Sequence, residues 1–254
     1  MTGISLVVPA YNEDDRIAPT LESYLRVLEG TGRQFEVIVI VDGTDRTATV
    51  AGRFALRGVV VREYGKKLGR GGAIFEGFRH SRYEIVGFAD ADGSVPADDF
   101  RKMLEEVMHG STAVIASRRL NPGVVLIPEP VSRRAVGWVW HALVKAFLSV
   151  PVHDAQCGLK LFSADVARLI LQRVTVTNRA FEVGMLYHVH ETGAVITELP
   201  VAYTHDFRTR MPIGRAIPVM FVTLIGIFLM NRTPVKRILG SAMFERFNRR
   251  FASI

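Results

Sequence analysis

The sequence predicts an α/β fold: a mostly parallel sheet with helices on both faces. Two observations carry this expectation. Short, nearly uninterrupted apolar runs alternate with helical patterns along the first half of the chain, which is the punctuation of strand-helix-strand units. Strands that are apolar at every position also imply burial on both faces, as in parallel sheets, with ligands bound at the strands' carboxyl ends. Composition agrees. With 48% hydrophobic and 22% charged residues among 254, the chain has material for a sizeable core, which excludes a disordered tail or a disulfide-stapled miniprotein.

The elements follow in order. Ile4 to Val8 is expected as a buried strand, Asp15 to Leu28 as a helix, Phe35 to Val41 as a strand, Asp45 to Ala55 as a helix and Val59 to Arg62 as a strand. A glycine-rich stretch, Gly65 to Gly72, opens a helix reaching about Ser81. Strand Glu84 to Ala89, helix Pro96 to His109 and strand Ala113 to Ala116 come next. A proline-bearing loop (Pro122, Pro128, Pro130) then leads into an apolar helix from Arg134 to Val150. Helices near Ala164 to Leu171 and Glu182 to Glu191 and a strand pair around Ala194 to Tyr203 complete the pattern. No internal repeat or low-complexity linker separates a second domain, so residues 1–214 are expected to form one domain and 215–254 an apolar and basic membrane-associating segment.

Charge and hydropathy refine the class. Lys and Arg number 32 against 25 Asp and Glu, a formal net charge of +7, and the pI is about 9.8 with a mean hydropathy of +0.20. The run Ile217 to Met230 falls short of the ~20 residues that cross a bilayer and contains Pro218. Beyond it, basic residues (Lys236, Arg237, Arg246, Arg249, Arg250) interleave with Phe244, Phe247 and Phe251, the pattern of a segment lying on an anionic membrane face. Trp138 and Trp140, two positions apart, cannot share one narrow buried stripe, so an interfacial tryptophan is expected. The single Cys157 cannot form an internal disulfide and no secretory signal is visible, which points to a reducing compartment. Basicity also admits a nucleic-acid binder, but no recognised nucleic-acid motif is present, and no nucleic-acid partner is expected.

Chemistry concentrates at predicted strand ends. Phe88-Ala89-Asp90-Ala91-Asp92-Gly93 places two carboxylates, one residue apart, where a strand yields to a turn. A hard divalent cation bound to phosphates needs such oxygens. Val8-Pro9-Ala10-Tyr11-Asn12-Glu13 follows the first strand, where Tyr11 can stack on a nucleobase and Glu13 can accept hydrogen bonds; Asp42 ends the second strand. Gly65-Lys66-Lys67-Leu68-Gly69-Arg70-Gly71-Gly72 lacks the Gly-Lys-Ser/Thr of a P-loop, yet it offers Lys67 and Arg70 to a phosphate at a helix N-terminus.

Together with Asp154-Ala155-Gln156-Cys157-Gly158-Leu159-Lys160-Leu161-Phe162 and Arg179-Ala180-Phe181-Glu182-Val183, these motifs resemble the family 2 inverting glycosyltransferases of GT-A fold, and more narrowly the polyprenyl (dolichyl) phosphate hexosyltransferases. The resemblance covers roughly residues 4 to 215. It implies a nucleotide-sugar donor (UDP- or GDP-hexose, with UDP-glucose favoured), a polyprenyl or dolichyl phosphate acceptor, Mg2+ or Mn2+, and a place on the cytoplasmic face of a cell or ER-type membrane. Carried over by position, Pro9, Tyr11, Glu13 and Asp42 would contact the donor, and Asp90 and Asp92 the metal; Lys67 and Arg70 of the glycine-rich loop, with Asp90, are expected to join the donor site. Arg118, Arg133, Arg134 and Arg210 would hold the acceptor phosphate; Asp92, Arg118, Arg134 and Asp154 form the expected catalytic set. The chain departs from the family at Val41-Asp42-Gly43-Thr44-Asp45, which is shorter than the usual motif, at Ser94, where some mannosyl relatives carry glutamine, and in lacking Gln-x-x-Arg-Trp.

Overall fold

A computed structural model describes residues 3–121, 125–127, 131–178, 180–204 and 213–230. The elements run β1 (Ile4–Ala10), α1 (Ile17–Gly30), β2 (Phe35–Val41), α2 (Thr47–Gly52), β3 (Val59–Glu63), α3 (Gly69–His80), β4 (Ile85–Ala89), α4 (Ala97–Met108) and β5 (Ala113–Ser117). They continue with β6 (Val125–Ile127), α5 (Val131–Leu148), β7 (Leu159–Ser163), α6 (Ala164–Arg173), α7 (Phe181–His190), β8 (Ile196–Pro200), β9 (Tyr203–Thr204) and α8 (Ile213–Met230).

Seven strands form one sheet in the order β3-β2-β1-β4-β7-β5-β8, and β6 pairs with β9 beside it. All pairings in the large sheet are parallel except those of β7, which runs antiparallel to both neighbours, with Ala89 opposite Leu159 and Ile115 opposite Lys160. The near-continuous apolar runs are explained by alternation between two cores. In β2, Val37, Val39 and Val41 enter one cluster with α1 and α4, while Ile38 and Ile40 enter the other with α3 and α7, as the period of two requires. On α4, Phe100, Met103, Leu104 and Val107 are buried at helical spacing, and Phe100 meets Tyr24 edge-to-face at 5.1 Å. Each such side chain taken fully from water contributes roughly 1.5–3 kcal/mol.

Several expectations are revised. The predicted helix Asp45 to Ala55 is α2 alone, ended at Gly52 and followed by a 3-10 turn and Gly58 at φ 84°. The strand β7 was not anticipated, because Lys160 interrupts its apolar character. The pair expected around Ala194 to Tyr203 is two strands in different sheets, β8 on β5 and β9 on β6. The run Ile217 to Met230 lies within α8, which begins at Ile213. Val219, Thr223, Leu224 and Ile227 of α8 are buried, with Phe228 against Phe147 of α5 at 5.2 Å. Among the described residues no helix is long and apolar enough to cross a membrane. The basic stretch after Met230 lies outside the described residues.

Candidate active site

Because β1, β2, β3, β4, β5 and β8 run the same way, their carboxyl ends share one rim, where parallel sheets bind ligands. The antiparallel β7 instead delivers the loop before its first residue to that rim. Asp154 thereby meets Arg118, and Gly158 meets Asp90.

On the β1 side, Asn12 adopts a left-handed conformation (φ 57°) and its Oδ1 accepts Thr44 N at 2.9 Å, tying the first two strand ends together. Glu13 N donates to Thr47 Oγ1 (2.8 Å), and the Glu13 carboxylate pairs with Arg16 at 2.5 Å. Burial pushes the Glu13 carboxyl up to about 7, Arg16 opposing and Asp92 and Asp90 adding to the rise. Tyr11 is half exposed, and Lys67 Nζ lies 4.3 Å from its ring centroid, so Lys67 stands beside the expected base platform. Pro9, the penultimate residue of β1, pairs in register with Ile40. Asp42 Oδ2 accepts the backbone N–H groups of Leu68 (2.7 Å) and Gly69 (2.9 Å), which anchors the glycine-rich loop at the start of α3.

At the end of β4, Asp90 Oδ1 accepts Arg70 Nε at 2.8 Å, and Arg70 Nη1 reaches Glu182 Oε2 at 2.9 Å. The guanidinium sits 5.5 Å from both the Phe88 and Phe181 ring centroids. Burial raises the Asp90 pKa, Arg70 opposing and Asp92 adding. Asp92 is partly exposed; its Oδ1 accepts Ser94 N at 3.0 Å. Among the described residues no three His, Cys, Asp or Glu side chains gather to enclose a metal. The two carboxylates nonetheless fit a Mg2+-type ion, which takes one or two protein carboxylates and completes its shell with diphosphate oxygens and water.

At the end of β5, Arg118 is clamped by Asp154: Nε to Oδ2 at 2.7 Å, Nη2 to Oδ1 at 3.0 Å and backbone N to Oδ2 at 3.1 Å. This is the two-pronged geometry that fixes a guanidinium's plane as well as its position. Asp154 is buried yet held down to about 2, because Arg118 outweighs the desolvation that would raise it. Its backbone N donates to Glu198 Oε1 at 2.7 Å. The Tyr203 ring covers Arg118 at 5.0 Å, and Thr204 N donates to Ser94 O at 3.2 Å, so β9 bridges the two strand ends. Burial pushes the Cys157 thiol up to about 12, leaving it unreactive. Arg133 and Arg134 fall near the start of α5, where only the backbone is described, and Arg210 lies outside the described residues.

Thus the rim assembles Tyr11, Glu13, Asp42, Lys67, Arg70, Asp90, Asp92, Arg118 and Asp154 from separate elements. Sequence reasoning gave no role to Lys160, Glu182 or Tyr203. A lysine inside an otherwise apolar run, and a glutamate within an apolar helix start, were the available signals for the first two.

The glycosyl transferase family 2 model matches residues 5–171. A dolichyl-phosphate beta-glucosyltransferase of Trichomonas vaginalis is 29% identical over 241 residues, covering 90% of this chain and 71% of that protein. The dolichyl-phosphate beta-glucosyltransferase of Drosophila melanogaster is 31% identical over 217 residues, covering 79% and 67%. The crystal structure of glucosyl-3-phosphoglycerate synthase from Mycobacterium tuberculosis with Mn2+, UDP-glucose and phosphoglyceric acid superimposes with a TM-score of 0.64 at 18% identity, covering 90% of this chain and 79% of that one. The last likeness is one of fold: a mixed α/β sheet clothed by helices. The family match carries every strand end from Tyr11 to Asp154 within its span, and the chain belongs to glycosyl transferase family 2.

Proposed function

We propose that this chain transfers glucose from UDP-glucose to polyprenyl (dolichyl) phosphate, inverting the anomeric configuration. The observation that carries the reading is the pairing of two charge devices on one rim, the Asp90/Asp92 turn beside Arg70 and the Arg118 guanidinium clamped by Asp154. Donor diphosphate and acceptor phosphate are both anionic, so their approach requires fixed positive charge more than it requires a base. A phosphate monoester has its second pKa near ~6 and is already a nucleophile at neutral pH. Arg118, rigid in its clamp, orients and screens the acceptor phosphate; Asp154 fixes that guanidinium and touches nothing that reacts. Tyr11 and Glu13 take the nucleoside, and Asp42 holds the glycine-rich loop that brings Lys67 and Arg70 to the diphosphate. Asp90 and Asp92 would hold a divalent cation, Mg2+ or Mn2+, which when bound neutralises charge on the departing nucleoside diphosphate.

The names of the relatives support the acceptor class. Exposed Trp138 and Val139 on α5 and Phe221 and Val222 on α8 support a peripheral seat on a membrane, from which the lipid chain is reached. The test incubates purified protein and Mn2+ or Mg2+ with labelled UDP-glucose, GDP-mannose and UDP-N-acetylglucosamine in turn, plus polyprenyl phosphate, and follows label into the organic phase. Metal-dependent transfer from UDP-glucose, abolished in Asp92→Ala with the fold intact, is expected. Transfer from GDP-mannose alone would replace the sugar, and consumption of donor without lipid labelling would replace the acceptor.

A further inference from the structure

Lys160 is fully buried in β7, and Glu182, at the second position of α7, is nearly so. Lys160 Nζ donates to Glu182 Oε1 at 2.7 Å and to Cys157 O at 2.7 Å. Glu182 Oε2 pairs with Arg70, and Arg70 with Asp90. Four charges of alternating sign therefore run unbroken from the middle of the sheet to its rim. Such a chain is a poor means of gaining stability, because desolvating ions costs about what their attraction returns, and well-packed apolar replacements are often neutral or better.

The glycines around it are shaped to the same arrangement. A β-carbon on Gly158 would collide with the Asp90 carboxylate, and one on Gly71 would collide with Thr177 O and the Phe181 ring. Gly71 thus lets α3 close on the start of α7 so that Arg70 reaches Glu182. With Nε and Nη1 both committed, Arg70 Nη2 is buried without a hydrogen-bond partner. The Arg70 side chain as a whole nonetheless stays partly exposed at the rim, where a cation held between two carboxylates suits an anionic oxygen.

We infer that Glu182 and Lys160 are positioning residues for the donor: they lock Arg70 between Phe88 and Phe181 so that its guanidinium charge stands at the rim for the diphosphate of the nucleotide sugar. This rests on the donor reading above and adds the device that aims its cationic contact. Lys160 fixes one oxygen of Glu182, Glu182 fixes the guanidinium, and the guanidinium fixes Asp90. The nucleotide itself touches neither Lys160 nor Glu182.

The decisive variant is Glu182→Asp, which keeps the charge balance but is one methylene too short to span Arg70 and Lys160 together. UDP binding is measured by calorimetry with Mn2+ and without acceptor, alongside the thermal melt and the donor and acceptor KM values. UDP affinity is expected to fall about 10-fold and the donor KM to rise likewise, with the polyprenyl-phosphate KM unchanged and the melt little altered. The pair Lys160→Met with Glu182→Gln leaves no unpaired buried ion, so it is expected to fold and still bind UDP at least as weakly. Native UDP affinity in either variant would overturn the inference and leave the four charges a scaffold only. If the unaltered protein binds neither UDP nor GDP, the donor reading fails and takes this inference with it.

Discussion

Gly158 shows how much a single atom decides in this site. A methyl group there is aimed at the Asp90 carboxylate, whose backbone N also donates to Gly158 O at 3.0 Å. Gly158→Ala is expected to cost about 1–3 kcal/mol of stability as an overpacked contact and to lower transfer by about 100-fold through displacement of Asp90. Gly30→Ala, with open space around it and an ordinary φ, should be neutral or stabilising by up to about 1 kcal/mol; melting curves and label transfer on both variants check the contrast. Asp154 carries the clearest pH signature. Its carboxyl sits at about 2 in the fold, below the ordinary ~3.9. The stability from its ionised form is therefore complete above pH ~4 and lost as the pH falls toward 2, amounting to about 2 kcal/mol. Asp154→Asn should lower stability at pH 7 and flatten the acid limb between pH 4 and 2, read from denaturant midpoints at each pH. An unchanged acid limb would place the salt bridge's contribution elsewhere.

Among the elements, α8 is held to α7's approach by a polar contact in an apolar setting: Asn178 Nδ2 donates to Thr223 Oγ1 at 2.9 Å, and both residues are buried. Thr223→Val removes the acceptor without changing shape, and should cost about 1 to 3 kcal/mol in a melt or denaturant titration. Element by element, legibility in the sequence tracks burial symmetry. The strands β1, β2 and β4 read plainly because both faces are covered and nearly every position is apolar, Ser5 and Glu36 being the exceptions. Strand β7 did not, since Lys160 breaks the run, and only its partner Glu182, far along the chain, explains a charge there. Strand β6 has three residues among prolines, too few for any period to show. The site divides the same way. Asp42, Asp90 and Asp92 were visible because strand ends announce themselves by a change of character, whereas Arg118 entered only through the family likeness. Asp154 was visible only through a family likeness, since an antiparallel strand presents its preceding loop, a position no rule about carboxyl ends anticipates. Tyr203 escaped notice because its role, covering Arg118, exists only after β9 has paired with β6 near the end of β5.

The molecule as a whole carries a net charge of +7 and shows water several large apolar side chains, Trp138 and Phe221 among them. Binding to vesicles containing anionic lipid is expected to weaken as salt rises, since screening shortens the reach of surface charge to about 8 Å at physiological ionic strength. Trp138→Ala with Phe221→Ala should reduce the salt-resistant part that remains; co-sedimentation at two salt concentrations separates the two components, and an unaltered salt-resistant fraction would put the apolar contact elsewhere. The antiparallel strand has a consequence in time as well as in space. Until Ser163 has left the ribosome, β4 and β5 have no β7 between them, and each exposes a bare edge that other chains can pair with. Asp90, Gly158 and Lys160 come together only when that late strand slots in, a non-local step of the slow kind. A nascent chain is therefore expected to be catalytically silent until β7 has inserted between β4 and β5, and in refolding the return of transfer activity is expected to keep pace with that insertion, so turnover serves as a clock for it.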